Sequence, residues 1–441
     1  REPCSLHSLY LGQGNLLVAD CSILEVMSDQ ELPLDGVTVI ECAGIFAGPW
    51  TGTLMGDFGA DIIKIEHPEY GDPLRDGLHD EQLQFKQMAR NKKSVAIDLH
   101  TEEGQALVHD LVEDADVFLE NFRPGTLEEW NLGWESLSET NPDLVMGRTT
   151  GFGQYGPYSD RPGFGTLAES MSGFAHLTGQ ADGPPTLPPF PLADAFAGLY
   201  STFATMFALY WRDVNGGTGQ YVDTSLLEPI FASLMNYHVI EHDQKGIVRE
   251  RQGNTVTEYS VPRNAYKTND DEWVALSASS PSIAERILRI VGGEEMAEDP
   301  RFQTHQDRVE HVDELDERIQ EWMAERDREA IIEIFEENNA AIAPIYDIED
   351  IYNDPHLEER DAILTVDDDD LGDVKVHGVF PKLSKTPGRV ESTGPHLGED
   401  TLEVLLDRTT ASEDELESFY YEGIIKIGEG AKLLGMPGIN E

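Results

Sequence analysis

GVTVIECAGIFAGPWTGTLMGDFGADIIKIEHP, residues 36–68, carries the pattern that decides the fold. GVTVIECA is a β-rich apolar run, the middle stretch opens on glycines and has the length of a helix, and DIIKIEHP is a second apolar run. Strand, helix and strand within about 35 residues make a βαβ unit of ordinary crossover size. Outward from it, SVAIDL (94–99), DVFLEN (116–121) and DLVMGRTT (143–150) are further strand-like runs, and TEEGQALVHDLVEDA and TLEEWNLGWESLSET have helical spacing between them. The alternation predicts an α/β fold, a doubly wound and mostly parallel Rossmann-like sheet.

The large α/β domain is expected over residues 35–225. The Pro-rich ADGPPTLPPFPLAD ends its first half, and the helix that starts near Asp194 is apolar almost all round, which predicts burial. A linker helix over 226–250 leads to a smaller α+β domain, 251–345, with a hairpin around Asn269 to Glu272 and acidic amphipathic helices after it. Residues 346–441 return to the large domain through short strands in ILTVDDDDLGDVKVHGVF and a helical tail. Ahead of all this, residues 1–34 form a leader. Its first 26 residues are poor in acidic side chains and lack the basic and apolar regions of a secretory signal, so Met27 reads as the native start and the rest as extraneous.

With 84 acidic against 31 basic residues, the formal net charge is -53. Such a surface repels nucleic-acid phosphates and anionic lipid, so neither nucleic acid nor membrane is expected as a partner. The imbalance runs along the whole chain, as in extreme halophiles; near 1 M salt the Debye length is roughly 3 Å and the self-repulsion is screened. A disordered acidic chain is excluded by segments such as DAFAGLYSTFATMFALYW, which need a core. No uninterrupted apolar run has membrane-spanning length. Cys4, Cys21 and Cys42 show neither metal-ligand spacing nor a disulfide framework, so the expectation is a reducing cytoplasm and no metal.

Several loops follow predicted strands, where open α/β sheets bind ligands. GIFAGP can bring backbone N–H groups to an anion at a helix start or be a plain tight turn. Glu66 lies about 20 residues past the first glycine, as a ribose-binding acid does. Arg90, Lys92 and Lys93 are three cations within four residues, suited either to phosphates or to a solvated loop paired with carboxylates. Asn121, Phe122 and Arg123 join an amide, a stacking face and a guanidinium before a helix. GFGQYG (151–156) matches the dinucleotide fingerprint G-x-G-x-x-G, but the GPYSDRPGFG that follows breaks helices, so no helix N-terminus is there for a pyrophosphate.

These loops, with NKKSVAIDL, ADVFLENFRPGTLEEWNLGW, GFGQYGPYSDRPGFGTLAESMSGFAHLTG, GQYVDTSLLE and KLSKTPGRV in order over about 34–426, resemble the class III CoA-transferases, the formyl-CoA and carnitine CoA-transferase type. The resemblance implies an interlaced homodimer and CoA thioesters as substrates, with no permanently bound cofactor. It places the nucleophile at Asp194, which from sequence alone reads as an N-cap whose pKa the helix start lowers. CoA contacts are implied at Phe46 and Ala47, His67, Ile97, Asp98, Leu99 and His100, Asn121, Phe122 and Arg123, and Pro162, Gly163 and Phe164. The likeness points toward succinyl-CoA as donor and a dicarboxylate such as mesaconate as acceptor, with Arg161, His176, His238 and Arg263 as candidates for the second carboxylate. Phe46 replaces the glutamine of the formyl-CoA enzymes. The alternatives are an α-methylacyl-CoA racemase-like enzyme, whose acidic triplet is here Gly163, Phe164 and Gly165, with Glu169 and His176 nearby, and a non-catalytic CoA-binding protein.

Overall fold

The computed structural model describes residues 31–76, 82–235 and 237–428, so the expected leader with Cys4, Cys21 and Met27, and the end of the tail, lie outside the described residues. Six strands, β1 (Thr38–Cys42), β2 (Asp61–Glu66), β3 (Lys92–Ile97), β4 (Val117–Glu120), β5 (Val145–Thr150) and β6 (Gln220–Ser225), build one parallel sheet in the order β3-β2-β1-β4-β5-β6. β1 is central: Val39 pairs with Ile62 on one side and Val117 on the other. Its neighbouring residues point to opposite faces. Ile40 packs with Ile63, Val95 and Phe118 against Leu107 and Leu111 of the helix Glu102–Glu113, whereas Val39, Ile62 and Val117 pack with Met55 and Leu209 on the other face. Both faces are covered, so the strands read as unbroken apolar runs.

TLEEWNLGWESLSET is two short helices, Thr126–Glu129 and Trp134–Thr140, rather than one. Asn131 at φ 55 breaks the run and Gly133 starts the second piece. The expected linker helix is also two, Leu227–Leu234 and His238–Lys245.

The long helix Leu192–Asn215 packs on β5, β6 and the helix Ala47–Gly56. Its buried face is mostly small residues, Ala193, Ala197, Gly198, Ser201, Thr205 and Ala208, with Leu209 the large side chain among them. A Cβ on Gly198 would stand 2.7 Å from Trp50, so glycine permits this close crossing. The opposite face exposes Leu199, Phe203, Phe207, Tyr210, Trp211 and Val214, which corrects the expectation of all-round burial. Apolar composition gave no sign of which face the sheet takes; the small side chains that permit close packing mark most of it. By length and composition this helix could cross a membrane, yet its inward face is part of the α/β core.

A second core is built from β7 (Arg263–Lys267), β8 (Trp273–Ser277) and β9 (Ile342–Pro344), an antiparallel sheet packed with helices Pro281–Ala297, Val312–Ala324 and Arg328–Glu337. β7 and β8 form the hairpin expected around Asn269 to Glu272. The chain then makes the hairpin β10 (Ile363–Asp368) and β11 (Gly372–His377), passes through helices Thr401–Arg408 and Glu413–Glu422, and adds β12 (Ile425–Lys426) antiparallel to β3.

Candidate active site

A cavity of ≈ 380 Å³ lies at the carboxyl ends of β1 to β5, where the strand order reverses between β1 and β4. This is the crevice in which doubly wound sheets place ligands. Every strand end contributes: Gly44 to Ala47 after β1, Glu66 and His67 at β2, Ile97, Leu99 and His100 at β3, Asn121 and Phe122 after β4, and Thr149 to Gly151 at β5. Gly163, Phe164 and Asp194 close one side.

Asp194 is in the first turn of the long helix, and Pro191 occupies the N-cap position, which corrects the reading of Asp194 as the cap. Its carboxylate rests against Gly165, where an added Cβ would come within 2.0 Å of Oδ2. Beside it Glu169, buried, accepts a hydrogen bond from the Ala193 N–H at 3.2 Å. Burial pushes the Asp194 carboxyl up to about 6; its own backbone N–H opposes this and the Glu169 charge adds to it. The sequence-based expectation was a lowered value. Desolvation and a second carboxylate outweigh the helix start. A carboxylate so placed is ionised at neutral pH, poorly satisfied and open to a substrate, as a nucleophile must be.

Across the cavity, Asn121 holds Gly44 by two hydrogen bonds, its Oδ1 accepting from the Gly44 N–H at 2.9 Å and its Nδ2 donating to the Gly44 carbonyl at 2.7 Å. The mouth is aromatic. His67 stacks on Tyr70 with centroids 3.8 Å apart, and Trp130 meets His100 at 4.9 Å and Phe122 at 5.2 Å edge-on. Burial lowers the His67 pKa, with Asp98 opposing, which favours a neutral ring. Asp98, Arg123 and Pro162 do not line the cavity; the last two are exposed. Asp98 instead accepts from the backbone N–H of His100 at 3.0 Å and meets its ring nitrogen at 2.8 Å. His67, Asp98 and His100 bring one ligand atom each within 4.8 Å of one another, but the Asp98 oxygen is already engaged by His100.

The cation cluster is paired with carboxylates, as one of the two readings had it, but only Lys93 is solvated. Arg90 is buried and paired with Asp57, Lys92 is buried against Glu41 at 2.7 Å, and Lys93 meets Asp61 at 2.8 Å. None reaches the cavity, because β3 starts at Lys92 and its amino end is far from the carboxyl ends. Glu66 lines the cavity, but its carboxylate is consumed by Arg75 at 2.6 and 2.7 Å and by Ser94 at 2.6 Å, so no ribose role is left for it. Arg161, His176, His238 and Arg263 are also absent from the lining. Arg161 stacks on Tyr158, and the other three bond to backbone carbonyls. Tyr70, Asp72 and Trp130 line the site or its rim and were missed. Tyr70 and Asp72 sit in PEYGDPLR directly after β2, so the strand-end rule would have found them.

The model of CoA-transferase family III matches residues 34–401. The chain belongs to that family. A CoA-transferase is therefore an enzyme of the activity class expected from the sequence, acting on CoA thioesters. Among relatives, it is 42% identical over 397 residues to the succinyl-CoA–D-citramalate CoA-transferase of Chloroflexus aurantiacus, covering 89% of this chain and 98% of that one. It is 35% identical to the succinate–glutarate CoA-transferase of Agrobacterium fabrum, covering 87% and 98%. A crystal structure of a CAIB/BAIF family protein from Brucella suis superposes with a TM-score of 0.77 at 31% identity, covering 86% of this chain and 100% of that one. In this CoA-transferase no acidic side chain stands at Gly163, Phe164 or Gly165, the triplet the racemase alternative needs.

Proposed function

We propose that this enzyme moves CoA from succinyl-CoA to a dicarboxylic acid, mesaconate being the acceptor we favour, through an aspartyl-CoA thioester on Asp194. The observation that carries the residue assignment is a half-buried carboxylate, free of side-chain donors among the described residues, facing a cavity ringed by strand ends. The substrate class rests on relatives named for succinyl-CoA and D-citramalate, and for succinate and glutarate, whose acids are all dicarboxylic.

In the proposed cycle, an Asp194 oxygen attacks the succinyl thioester carbonyl, the C–S bond breaks, and CoA leaves as thiolate from a mixed anhydride. The thiolate attacks the aspartyl carbonyl, the anhydride C–O bond breaks, and succinate leaves Asp194 as its CoA thioester. An acceptor carboxylate then attacks that thioester and displaces thiolate, and the thiolate attacks the acceptor's acyl carbon, restoring the Asp194 carboxylate. Electrons balance without an oxidant, and each step exchanges bonds of similar activation. Phe46, Ala47, His67, Ile97, Leu99, His100, Asn121, Phe122, Gly163 and Phe164 are the proposed CoA contacts from the lining. The exposed aromatic face of Leu192–Asn215 fits burial by a second copy in the interlaced homodimer, and the charge of -53 fits a cytoplasmic halophile enzyme that needs molar salt.

Incubation with succinyl-CoA and no acceptor should leave CoA on one peptide, PPFPLADAFAGLY (188–200), trappable by hydroxylamine. Transfer without any label under single-turnover conditions would remove the covalent mechanism. Activity on monocarboxylates only would sink the dicarboxylate assignment, and a monomer by light scattering would sink the dimer.

A further inference from the structure

Between β1 and the helix Ala47–Gly56, Ile45 has φ 68. The left-handed region is costly for any residue with a Cβ and an outlier for a β-branched one. Its side chain is 46% exposed, so packing of that side chain does not hold the conformation. The backbone is held instead: the Ile45 N–H points to both oxygens of Asp72 at 3.3 Å. Asp72 is itself fixed, accepting from the Leu74 N–H at 2.9 Å and pairing with Lys64 at 2.9 Å, while its own N–H donates to Glu66 at 3.0 Å. Lys64 also donates to the Ala43 carbonyl at 2.6 Å and to Glu41 at 3.0 Å. With Asn121 on Gly44, three consecutive residues, Ala43 to Ile45, are tied to the side chains of Lys64, Asn121 and Asp72.

These residues form the cavity wall that leads into Phe46 and Ala47, where the helix Ala47–Gly56 begins without a side-chain cap. Strain that the surroundings over-determine is a mark of a functional segment, and here the surroundings are known by name. We infer that Asp72 is a positioning residue, holding Ile45 in its left-handed conformation so that the wall Gly44–Ala47 keeps the shape that sets a thioester against Asp194. Asp72 touches no reacting atom in this arrangement; it acts through the loop. The inference rests on the Asp194 reading for its catalytic consequence, but not for the coupling between Asp72 and Ile45.

Glycine adopts φ 68 freely, so the two positions should be coupled in sign. Asp72→Asn keeps one acceptor oxygen but loses the charge that meets Lys64; kcat should fall roughly ten- to a hundredfold, with KM for succinyl-CoA changed much less. Adding Ile45→Gly to that variant should recover most of the lost kcat, a rescue that general destabilisation would not give. In the otherwise unaltered chain, Ile45→Gly should raise the thermal midpoint by relieving strain; a lowered midpoint, as for an ordinary loop residue replaced by glycine, would overturn the inference. So would a double variant no better than Asp72→Asn alone. If Asp72→Asn does not fold, the midpoint of Ile45→Gly in the otherwise unaltered chain decides, a rise supporting the inference and a fall overturning it. An inactive wild type would strike the proposed function alone, since the midpoints are read without turnover.

Discussion

Asp194 and Asp72 line the same cavity, and their surroundings push them in opposite directions. Asp72 is the more buried, at 4% exposure, yet its pKa is lowered: burial raises it, but Lys64 and the N–H groups of Leu74 and Ile45 more than offset that. Asp194 is less buried, has no side-chain donor among the described residues, and is raised to about 6 by burial with Glu169 adding to it. Depth alone therefore does not set the charge state; the partners do. A carboxylate that positions is saturated with donors, whereas one that attacks must keep its lone pairs unspent in the resting state.

The largest expected effect tests the unsaturated member. Asp194→Asn should lower kcat by on the order of 10³-fold or more while CoA still binds, since an amide keeps the shape and is a poor nucleophile. Stability should move the other way. Removing a poorly solvated charge should stabilise the chain at pH 8 by about 1–2 kcal/mol, discounted for its partial exposure. Turnover at the wild-type rate, read alongside a denaturant titration, would break the comparison at once.

The saturated member should respond in stability. Asp72→Asn leaves Lys64 short of a partner in the interior, at a cost of about 3 kcal/mol. Because the folded pKa of Asp72 is depressed, its stabilisation is present above the ordinary carboxylate pKa and is lost as pH falls through and below it. The gap between wild type and variant should thus be full at pH 7 and shrink toward pH 3; a gap independent of pH would show that the Asp72 charge contributes nothing.

A smaller effect probes the steric seat of the proposed nucleophile. Gly165→Ala would place a methyl within 2.0 Å of the present Asp194 Oδ2, so the carboxylate must turn aside. Displacement on that scale should cost roughly 10²-fold in the rate of enzyme labelling by succinyl-CoA. An unchanged labelling rate would mean that the seat on Gly165 is incidental.

How much of this contrast the sequence could carry differs between its parts. The doubly wound sheet was legible because β1 to β5 are apolar runs at regular spacing, and strand ends named most of the cavity. Asp194 was located through family resemblance, since by itself an Asp at a helix start reads as a cap. Its raised pKa was not legible: Glu169 lies 25 residues away in sequence, and only the packing of the helix Gly165–Met171 against the start of Leu192–Asn215 brings the charges together. Arg90, Lys92 and Lys93 misled for a related reason. Three clustered cations look like a ligand site until the partners Asp57, Glu41 and Asp61, all earlier in the chain, are seen on neighbouring elements. The strain at Ile45 leaves no mark in composition at all.

The smallest effect separates the two carboxylates by pH. In the proposed cycle Asp194 attacks only when ionised, so log kcat should be flat above about pH 6 and fall below it with unit slope, about 1.4 kcal/mol of barrier per pH unit. Over the window from about 6 down to the ordinary Asp value of 3.8, the folded protein binds a proton at Asp194 more readily than the unfolded chain does. That group's contribution therefore makes the protein more stable as activity is lost, the reverse of what Asp72 does at still lower pH. Glu169→Gln sharpens the test. It retains an oxygen for the Ala193 N–H but removes the charge beside Asp194, so the activity limb should move to lower pH. A limb that stays in place would leave desolvation alone responsible for the raised value, and activity unchanged down to pH 4.5 would show that Asp194 is as well satisfied as Asp72.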